Sequence, residues 1–190
     1  MTQIGLKNIY AAKVLTDTDE GTTYDAPRKI SEAITANVTP NVETATLYAD
    51  DKLSEVEEAL GDIDIEIGIK DLSVEDYAFL LGRTVDADGG ITDNANDSAP
   101  YVALGFEVPL SGGRKRMYWY YKGKFNIPSS EHTTKQGSTE FQTPTISGKF
   151  MPRQSDGDWR YRLDSNETNT AIVNAWFTKV KEKPATVPVP

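Results

Sequence analysis

The strongest β-sheet signal in this chain lies in two neighbouring runs, Tyr101-Val-Ala-Leu-Gly-Phe-Glu-Val-Pro-Leu110 and Arg116-Met-Tyr-Trp-Tyr-Tyr-Lys-Gly-Lys-Phe-Asn-Ile127. Both runs are rich in β-branched and aromatic residues, and the Ser-Gly-Gly sequence at 111–113 between them is typical of a tight turn. The pattern therefore predicts a long β-hairpin, which we call the aromatic hairpin.

Further strands are predicted on the N-terminal side of this hairpin. Strict alternation in Asp62-Ile-Asp-Ile-Glu-Ile-Gly-Ile69 puts isoleucines on one face of a strand and acidic residues on the other. Runs rich in threonine and valine at 30–39 and 42–48 are also typical of strands, and Pro40-Asn41 between them favours a turn, so they predict a second hairpin. Residues 52–60 fit helical spacing but also a strand-like connector, and both interpretations stay open.

Two helices are predicted. Ser73 can cap a short helix over 72–82, which Gly82 can end. Apolar residues at helical spacing predict a longer helix over 167–180 that packs against the core. Three prolines exclude a helix at the C-terminus, so 184–190 is predicted as an extended tail.

Together these elements predict a mainly β (α+β) fold, a β-sandwich or partly closed barrel with one short and one longer helix. A length of 190 residues, 38% of them hydrophobic, suits one domain with a real core. That domain is predicted to span 1–183, with an N-terminal strand and loop at 1–24 and a flexible acidic loop at 86–100.

The residue content argues against catalytic and metal chemistry. There is no cysteine, and the one histidine, His132, lies in a polar run and is interpreted as an exposed side chain. The start Asp86-x-Asp88-Gly-Gly is similar to a calcium loop, but its twelfth position is Asp97 instead of glutamate and no flanking helix pair is evident. The sequence holds no phosphate loop or nucleophile elbow, and carboxylate pairs are too frequent to mark an active site. We therefore predict no enzyme, no cofactor and no metal site.

Charge is divided unevenly along the chain. Residues 1–100 carry 7 basic and 21 acidic residues, whereas residues 101–190 carry 13 basic and 8 acidic residues. Because phosphate contacts need cations, an acidic surface suits a protein that lets DNA pass without binding it. An acidic surface also keeps a protein soluble, and the sequence leaves both interpretations open.

The order of these elements resembles the major tail protein (tail tube) family of long-tailed, siphovirus-type bacteriophages of Gram-positive hosts. Besides the aromatic hairpin, the resemblance rests on the polar segment Thr134-Lys-Gln-Gly-Ser-Thr-Glu-Phe-Gln-Thr-Pro144 and on Ser73-Val-Glu-Asp-Tyr77 after an alternating strand. It implies a structural protomer without catalytic residues, which polymerises as stacked hexameric rings around a channel that conducts DNA during ejection.

The resemblance also implies partners and a location. The implied partners are other copies of the chain, the tape measure and tail terminator proteins, and genomic DNA that passes without specific binding. The protein is expected in the virion tail after synthesis in the bacterial host cytoplasm. No membrane anchor is expected, because no apolar run approaches the roughly 18 residues of a transmembrane helix and the N-terminus is unlike a signal peptide.

Function is therefore expected in surfaces. Alternation in the aromatic hairpin places Tyr118 and Tyr120 on one face and Trp119 and Tyr121 on the other, with one set in the core and the other covered by a subunit. Ordinary core and surface positions without a subunit contact, and nucleic-acid binding, are the alternatives. The predicted subunit-interface residues are Arg114, Arg116, Tyr118, Trp119, Tyr120, Tyr121 and Phe141. The predicted lumen-facing acidic residues are Glu43, Asp62, Asp64 and Glu66. The basic residues of the hairpin are expected to contact an acidic surface of the next subunit.

Two other classes of protein remain open. The chain could be a non-catalytic β-sandwich binding or adhesin module on a virion or cell surface, which an exposed Trp119 or Trp159 at a shallow groove would support. It could also be the tube protein of a contractile injection system.

Overall fold

The computed structural model describes residues 2–49, 52–129 and 143–184. In these residues, nine strands and two helices follow one another in the order β1 (Lys7–Thr18), β2 (Gly21–Tyr24), β3 (Arg28–Lys29), β4 (Ala33–Ala49), β5 (Lys52–Ile69), α1 (Val74–Leu81), β6 (Val102–Pro109), β7 (Lys115–Phe125), β8 (Thr145–Phe150), β9 (Arg160–Asp164) and α2 (Thr170–Asn174). The prediction of a mainly β fold is confirmed.

The strands form one antiparallel sheet in the order β2-β1-β6-β7-β8-β5-β4, with β3 added to β1 and β9 added to β7. Strand β7 is the branch point. It pairs with β6 along one edge, and along the other edge it pairs first with β9 and then with β8. The sheet therefore ends at β4 on one side, and β9 ends a second branch.

The aromatic hairpin is confirmed as the pair β6 and β7, with Leu104 opposite Tyr120 and Phe106 opposite Tyr118. The predicted alternation of faces is also confirmed. Tyr118 and Tyr120 lie in one hydrophobic cluster, whereas Trp119 and Tyr121 lie in another, on the opposite face of the sheet.

The first cluster covers one face of the sheet, and four of its residues come from β5. Ile63, Ile65, Ile67 and Ile69 are at most 3% exposed. The prediction of a half-buried isoleucine strand is therefore confirmed. Helix α1 closes this cluster with Leu80 and Leu81.

Helix α1 has the predicted termini. The Ser73 hydroxyl accepts a hydrogen bond from the Asp76 amide (3.1 Å), which satisfies a free N–H of the first turn. Gly82 ends the helix in the left-handed conformation (φ 69°), which a residue with a Cβ adopts at a cost.

The predicted hairpin around Pro40-Asn41 is wrong, because β4 runs without a turn from Ala33 to Ala49 and pairs throughout with β5. Pro40 is tolerated because β4 is an edge strand, where a missing N–H breaks no ladder. Between the pairs Pro40–Ile63 and Val42–Leu60, one residue of β4 faces two residues of β5. This β-bulge accommodates the extra residue of β5, and the two strands continue to pair beyond it. Residues 52–60 are strand, which resolves their ambiguity.

The predicted helix over 167–180 is too long, because α2 covers only Thr170–Asn174. Beyond it the Trp176 amide bonds to the Val173 carbonyl (3.2 Å), so the chain tightens into turns. The cause is packing. Trp176 is fully buried in the second cluster, whereas Ile172, which a regular apolar stripe would bury, is 47% exposed.

This C-terminal segment covers the second cluster. Val173, Trp176 and Val180 are buried against Trp119 and other residues of the sheet. Phe177 stacks on Tyr10 of β1 with ring centroids 4.3 Å apart. Both faces of β7 are therefore buried within the chain.

Candidate assembly and channel surfaces

The acidic residues predicted to face a lumen share one face of the β4–β5 hairpin. Asp62, Asp64 and Glu66 alternate with the buried isoleucines and so point away from the first cluster. Beyond the bulge, Val42 lies opposite Leu60, which packs on that cluster, so the next pair, Glu43 and Ala59, points outward.

Glu57 shares this outward face, because it lies opposite Ala45, two positions beyond Glu43 on β4. Alternation in the sequence does not indicate Glu57, because its face depends on the bulge between the two strands. We call the set Glu43, Glu57, Asp62, Asp64 and Glu66 the acidic face.

One lysine and one asparagine bind two of these carboxylates, Asp62 and Asp64. Lys149 on β8 forms ion pairs with Asp62 and with Asp64 (3.1 Å), and the Asn41 amide donates to both carboxylates at 2.8 and 2.9 Å. Hydrogen bonds from Lys149 and Asn41 lower the pKa of Asp62, and those from Asn41 and Lys149 lower the pKa of Asp64. Both groups are therefore ionised at neutral pH.

The part of the hairpin beyond the bulge is an exposed two-stranded ribbon. We define the ribbon as residues 41–46 and 56–60, of which all but the half-buried Leu60 are exposed. Its outward face carries Glu43 and Glu57. Its other face, which continues the core side of the sheet, carries Glu58 between two half-exposed valines, Val42 (51%) and Val56 (50%).

The four aromatic residues predicted at a subunit interface lie inside the chain. Tyr118, Trp119, Tyr120 and Tyr121 are at most 9% exposed. The Trp119 indole donates to the Trp176 carbonyl (3.3 Å). Little of these side chains is left to touch a neighbour, and their part in subunit contacts stays a prediction. The buried Trp119 also cannot serve as the exposed groove residue of an adhesin module.

The two predicted interface arginines lie next to the turn of the aromatic hairpin. Arg116 makes a two-pronged ion pair with Asp164 on β9 (2.6 and 2.7 Å), and Arg114 donates to the Ser165 carbonyl (2.8 Å). Phe141 and His132 lie outside the described residues, as does most of the polar segment 134–144.

We expect the Arg116–Asp164 pair to add to stability above about pH 4. Hydrogen bonds from Arg116 hold the pKa of Asp164 below its ordinary value. Since the unfolded chain has the higher pKa, about 3.9, it takes up the proton first as pH falls, and the stabilisation is lost as pH passes through the folded-state pKa. Asp164→Asn should therefore flatten the acid limb of a plot of unfolding free energy against pH. Arg116→Gln should flatten it equally, and unchanged slopes in both variants would contradict the assignment.

Two arginines on β9 were not predicted from the sequence. Arg162 lies beside Tyr118 and Arg160 beside Tyr120, on the face that carries Arg116. The Arg160 guanidinium lies over the Trp159 ring (4.4 Å to the centroid), and it partly offsets the rise that burial causes in the pKa of Tyr120. We call Arg116, Arg160 and Arg162 the arginine patch. The only hint in the sequence was Arg-Tyr-Arg, an alternating triplet too short to predict a strand.

The described part of the chain holds no candidate metal site. No group of three or more histidine, aspartate or glutamate side chains is arranged there to hold a metal ion. The Asp86 carboxylate accepts the amides of Asp88 and Gly90, and Asp93 and Asp97 pair with Arg83. None of the helices found there has the length and apolar character needed to cross a membrane.

The sequence model of the phage tail tube protein family matches residues 1–148. Since the match covers 148 of the 190 residues, the chain belongs to the phage tail tube protein family. It is a structural protein of the virion tail that assembles with copies of itself and with other tail components. No curated protein matches the chain. Strand β9, helix α2 and the C-terminal segment lie beyond the matched residues.

Proposed function

We propose that this chain is the protomer of a siphovirus-type tail tube, in which hexameric rings stack around a channel that conducts genomic DNA during ejection. The observation that carries the proposal is the acidic face. Five carboxylates from two strands are gathered on one side of a single hairpin, and only Asp62 and Asp64 have a cation partner in the described residues.

An acidic face suits a channel wall for DNA. Duplex DNA carries about one negative charge per 1.7 Å of its axis, so a wall of carboxylates repels it and offers no phosphate contacts. At physiological salt this repulsion reaches about 8 Å, enough to keep DNA off the wall without blocking a wider channel. We therefore assign Glu43, Asp62, Asp64 and Glu66, with Glu57, to the lumen.

The sheet edges support closure into a ring. Strand β4 is 17 residues long and pairs only with β5, so its outer edge has no strand partner within the described chain. A long unpaired edge tends to pair with another chain, and a head-to-tail contact between copies closes into a ring when its rotation permits. Residues 1–183 would act as one domain in this ring, with 184–190 as a tail.

The remaining parts of the proposal concern chemistry and partners. The protein has a structural and not a catalytic role, and it needs no cofactor. Its partners in the tail are the tape measure and tail terminator proteins, and DNA passes through without specific binding.

Light scattering over a concentration series, with negative-stain imaging of the same samples, tests the proposal. The expected result is rings or tubes of uniform width. Irregular aggregates, or a monomer that stays monomeric even when isolated tail tips are added to start assembly, would contradict it.

Reversing charge on the acidic face should slow DNA passage without preventing assembly. The test variant is Glu43→Lys/Glu66→Lys. Neither residue belongs to the Lys149 ion pairs, so the double variant should fold like the wild type. Each ring would then offer lysines to passing phosphates, and a few such contacts change DNA affinity by orders of magnitude. We expect DNA release from triggered virions to slow at least about tenfold.

The matched control is Glu20→Lys/Asp88→Lys, which makes the same change of charge in two exposed turns away from the acidic face. It should release DNA at the wild-type rate. Equal rates for both double variants would remove the lumen assignment.

A further inference from the structure

The arginine patch has more positive charge than its surroundings neutralise. Arg116 is paired with Asp164, but no carboxylate of the described residues lies within 4.0 Å of Arg160 or Arg162. Both side chains are exposed and stand two positions apart on β9, so they share one face. The patch therefore offers two guanidinium groups that lack a carboxylate partner among the described residues, and guanidinium groups favour planar, two-pronged contacts with carboxylates.

The surroundings of the patch hold Arg160 in place. Tyr118 and Tyr120 are buried beneath the patch, and Trp159, with Arg160 over its ring, packs against the first cluster. Guanidinium groups that are already positioned lose less side-chain entropy on binding than free ones. Beside them, the outer edge of β9 has no strand partner in the described chain.

The core-side face of the ribbon has the complementary features. Glu58 is exposed, and no cation of the described residues lies within 4.0 Å of it. Val42 and Val56 flank it and leave about half their surfaces in water. An apolar rim around one carboxylate fits a surface that presents cations on an aromatic floor.

We propose that the arginine patch of one copy binds the core-side face of the ribbon of a second copy, with Glu58 between Arg160 and Arg162. The inference rests on the proposed function, because it names a contact by which the tube assembles. The acidic face on the other side of the ribbon stays free to line the channel. The contact also gives the uneven charge of the two halves of the sequence a role, since each copy carries both surfaces.

Charge reversal with mixing tests this contact. Arg160→Glu/Arg162→Glu and Glu58→Arg each place like charges in every contact, and each should raise the protein concentration needed for assembly at least about tenfold. In an equal mixture of the two variants every contact can be complementary if the copies alternate. The mixture should therefore assemble near the wild-type concentration. Sedimentation velocity and negative-stain imaging provide the readout, and circular dichroism confirms that each variant is folded.

The control is Lys29→Glu/Lys179→Glu, which reverses two exposed cations outside the patch. It should assemble like the wild type. Assembly of Arg160→Glu/Arg162→Glu at the wild-type concentration, or a mixture that assembles no better than its components, would overturn the inference. If this variant instead assembles normally but loses binding to DNA, the patch is a phosphate site and the inference falls.

The result also separates this contact from the proposed function. If the wild type forms tubes and neither charge-reversed variant is impaired in assembly, the tube role stands and the contact is excluded. If the protein forms compact oligomers instead of tubes, and these are lost on charge reversal and restored by mixing, the contact stands and the tube role is excluded. A wild type that forms no assembly under any condition would contradict both.

Discussion

Trp176→Ala should lower the free energy of unfolding by about 3–5 kcal/mol, the range for truncating a large buried aromatic residue. Trp176 is fully buried and stacks on Tyr161 with centroids 5.5 Å apart. Its indole donates to the Tyr118 carbonyl (3.3 Å), and its own carbonyl accepts the Trp119 indole. The substitution removes the main contact between the C-terminal segment and the sheet. Urea unfolding followed by circular dichroism measures the change.

The matched control lies in the same segment. Ile172 is half-exposed, and Ile172→Ala should change the free energy of unfolding by no more than about 0.5 kcal/mol. Equal losses in the two variants would mean that the segment is held by its local turns and not by packing of Trp176 in the second cluster.

Gly123→Ala should destabilise the protein by about 1–3 kcal/mol or more, because it adds a methyl group to a filled site. Gly123 lies opposite Phe150 in the sheet, and a Cβ there would come within 2.3–2.5 Å of the Phe150 ring. Phe150 is itself only 1% exposed and packs edge-on to Phe125 (5.7 Å), so the ring has no free space to enter. The temperature of half-unfolding, measured by calorimetry, should fall clearly.

Gly5→Ala is the control, since a Cβ at Gly5 meets no atom within 4 Å. It should leave the unfolding temperature nearly unchanged. In Gly123→Ala/Phe150→Leu the smaller side chain makes room for the methyl group, so the double variant should lose less than the sum of the single variants. Strict additivity would show that the ring does not cause the loss.

The sequence predicted best those elements whose faces follow directly from alternation. The isoleucines of β5 and the two aromatic sets of β7 occupy the predicted faces, because a strand with buried positions has only one register that hides them. Ser73 and Gly82 likewise define α1 through local hydrogen bonds and backbone geometry. These predictions needed no knowledge of distant residues.

The sequence predicted poorly those elements whose form depends on a neighbour. Pro40 signals a turn, but its place at a sheet edge beside a bulge is decided by pairing with β5. The apolar spacing at 167–180 fits a helix, but the site that binds Trp176 lies between Tyr118 and Tyr161 and pulls the chain into turns. In both places tertiary contacts overrode the local pattern.

The candidate surfaces likewise include residues that the sequence predicts and residues whose position depends on contacts with distant parts of the chain. The acidic face was predicted from the alternation of Asp62, Asp64 and Glu66 with isoleucines, whereas Glu57 depends on the bulge. The aromatic hairpin was predicted as a subunit interface, but its four rings are buried, and the exposed side chains beside them are Arg160 and Arg162. A single sequence cannot show that burial, because β9 and the C-terminal segment, which cover the rings, are distant in the chain.

An electron cryo-microscopy reconstruction of the assembled tube, at a resolution that traces the strands, shows directly which residues line the channel. We expect a hollow tube of stacked rings in which the acidic face of each β4–β5 hairpin lines the channel. A tube with Glu43, Asp62, Asp64 and Glu66 on its outer surface, or an assembly without a channel, would contradict this expectation.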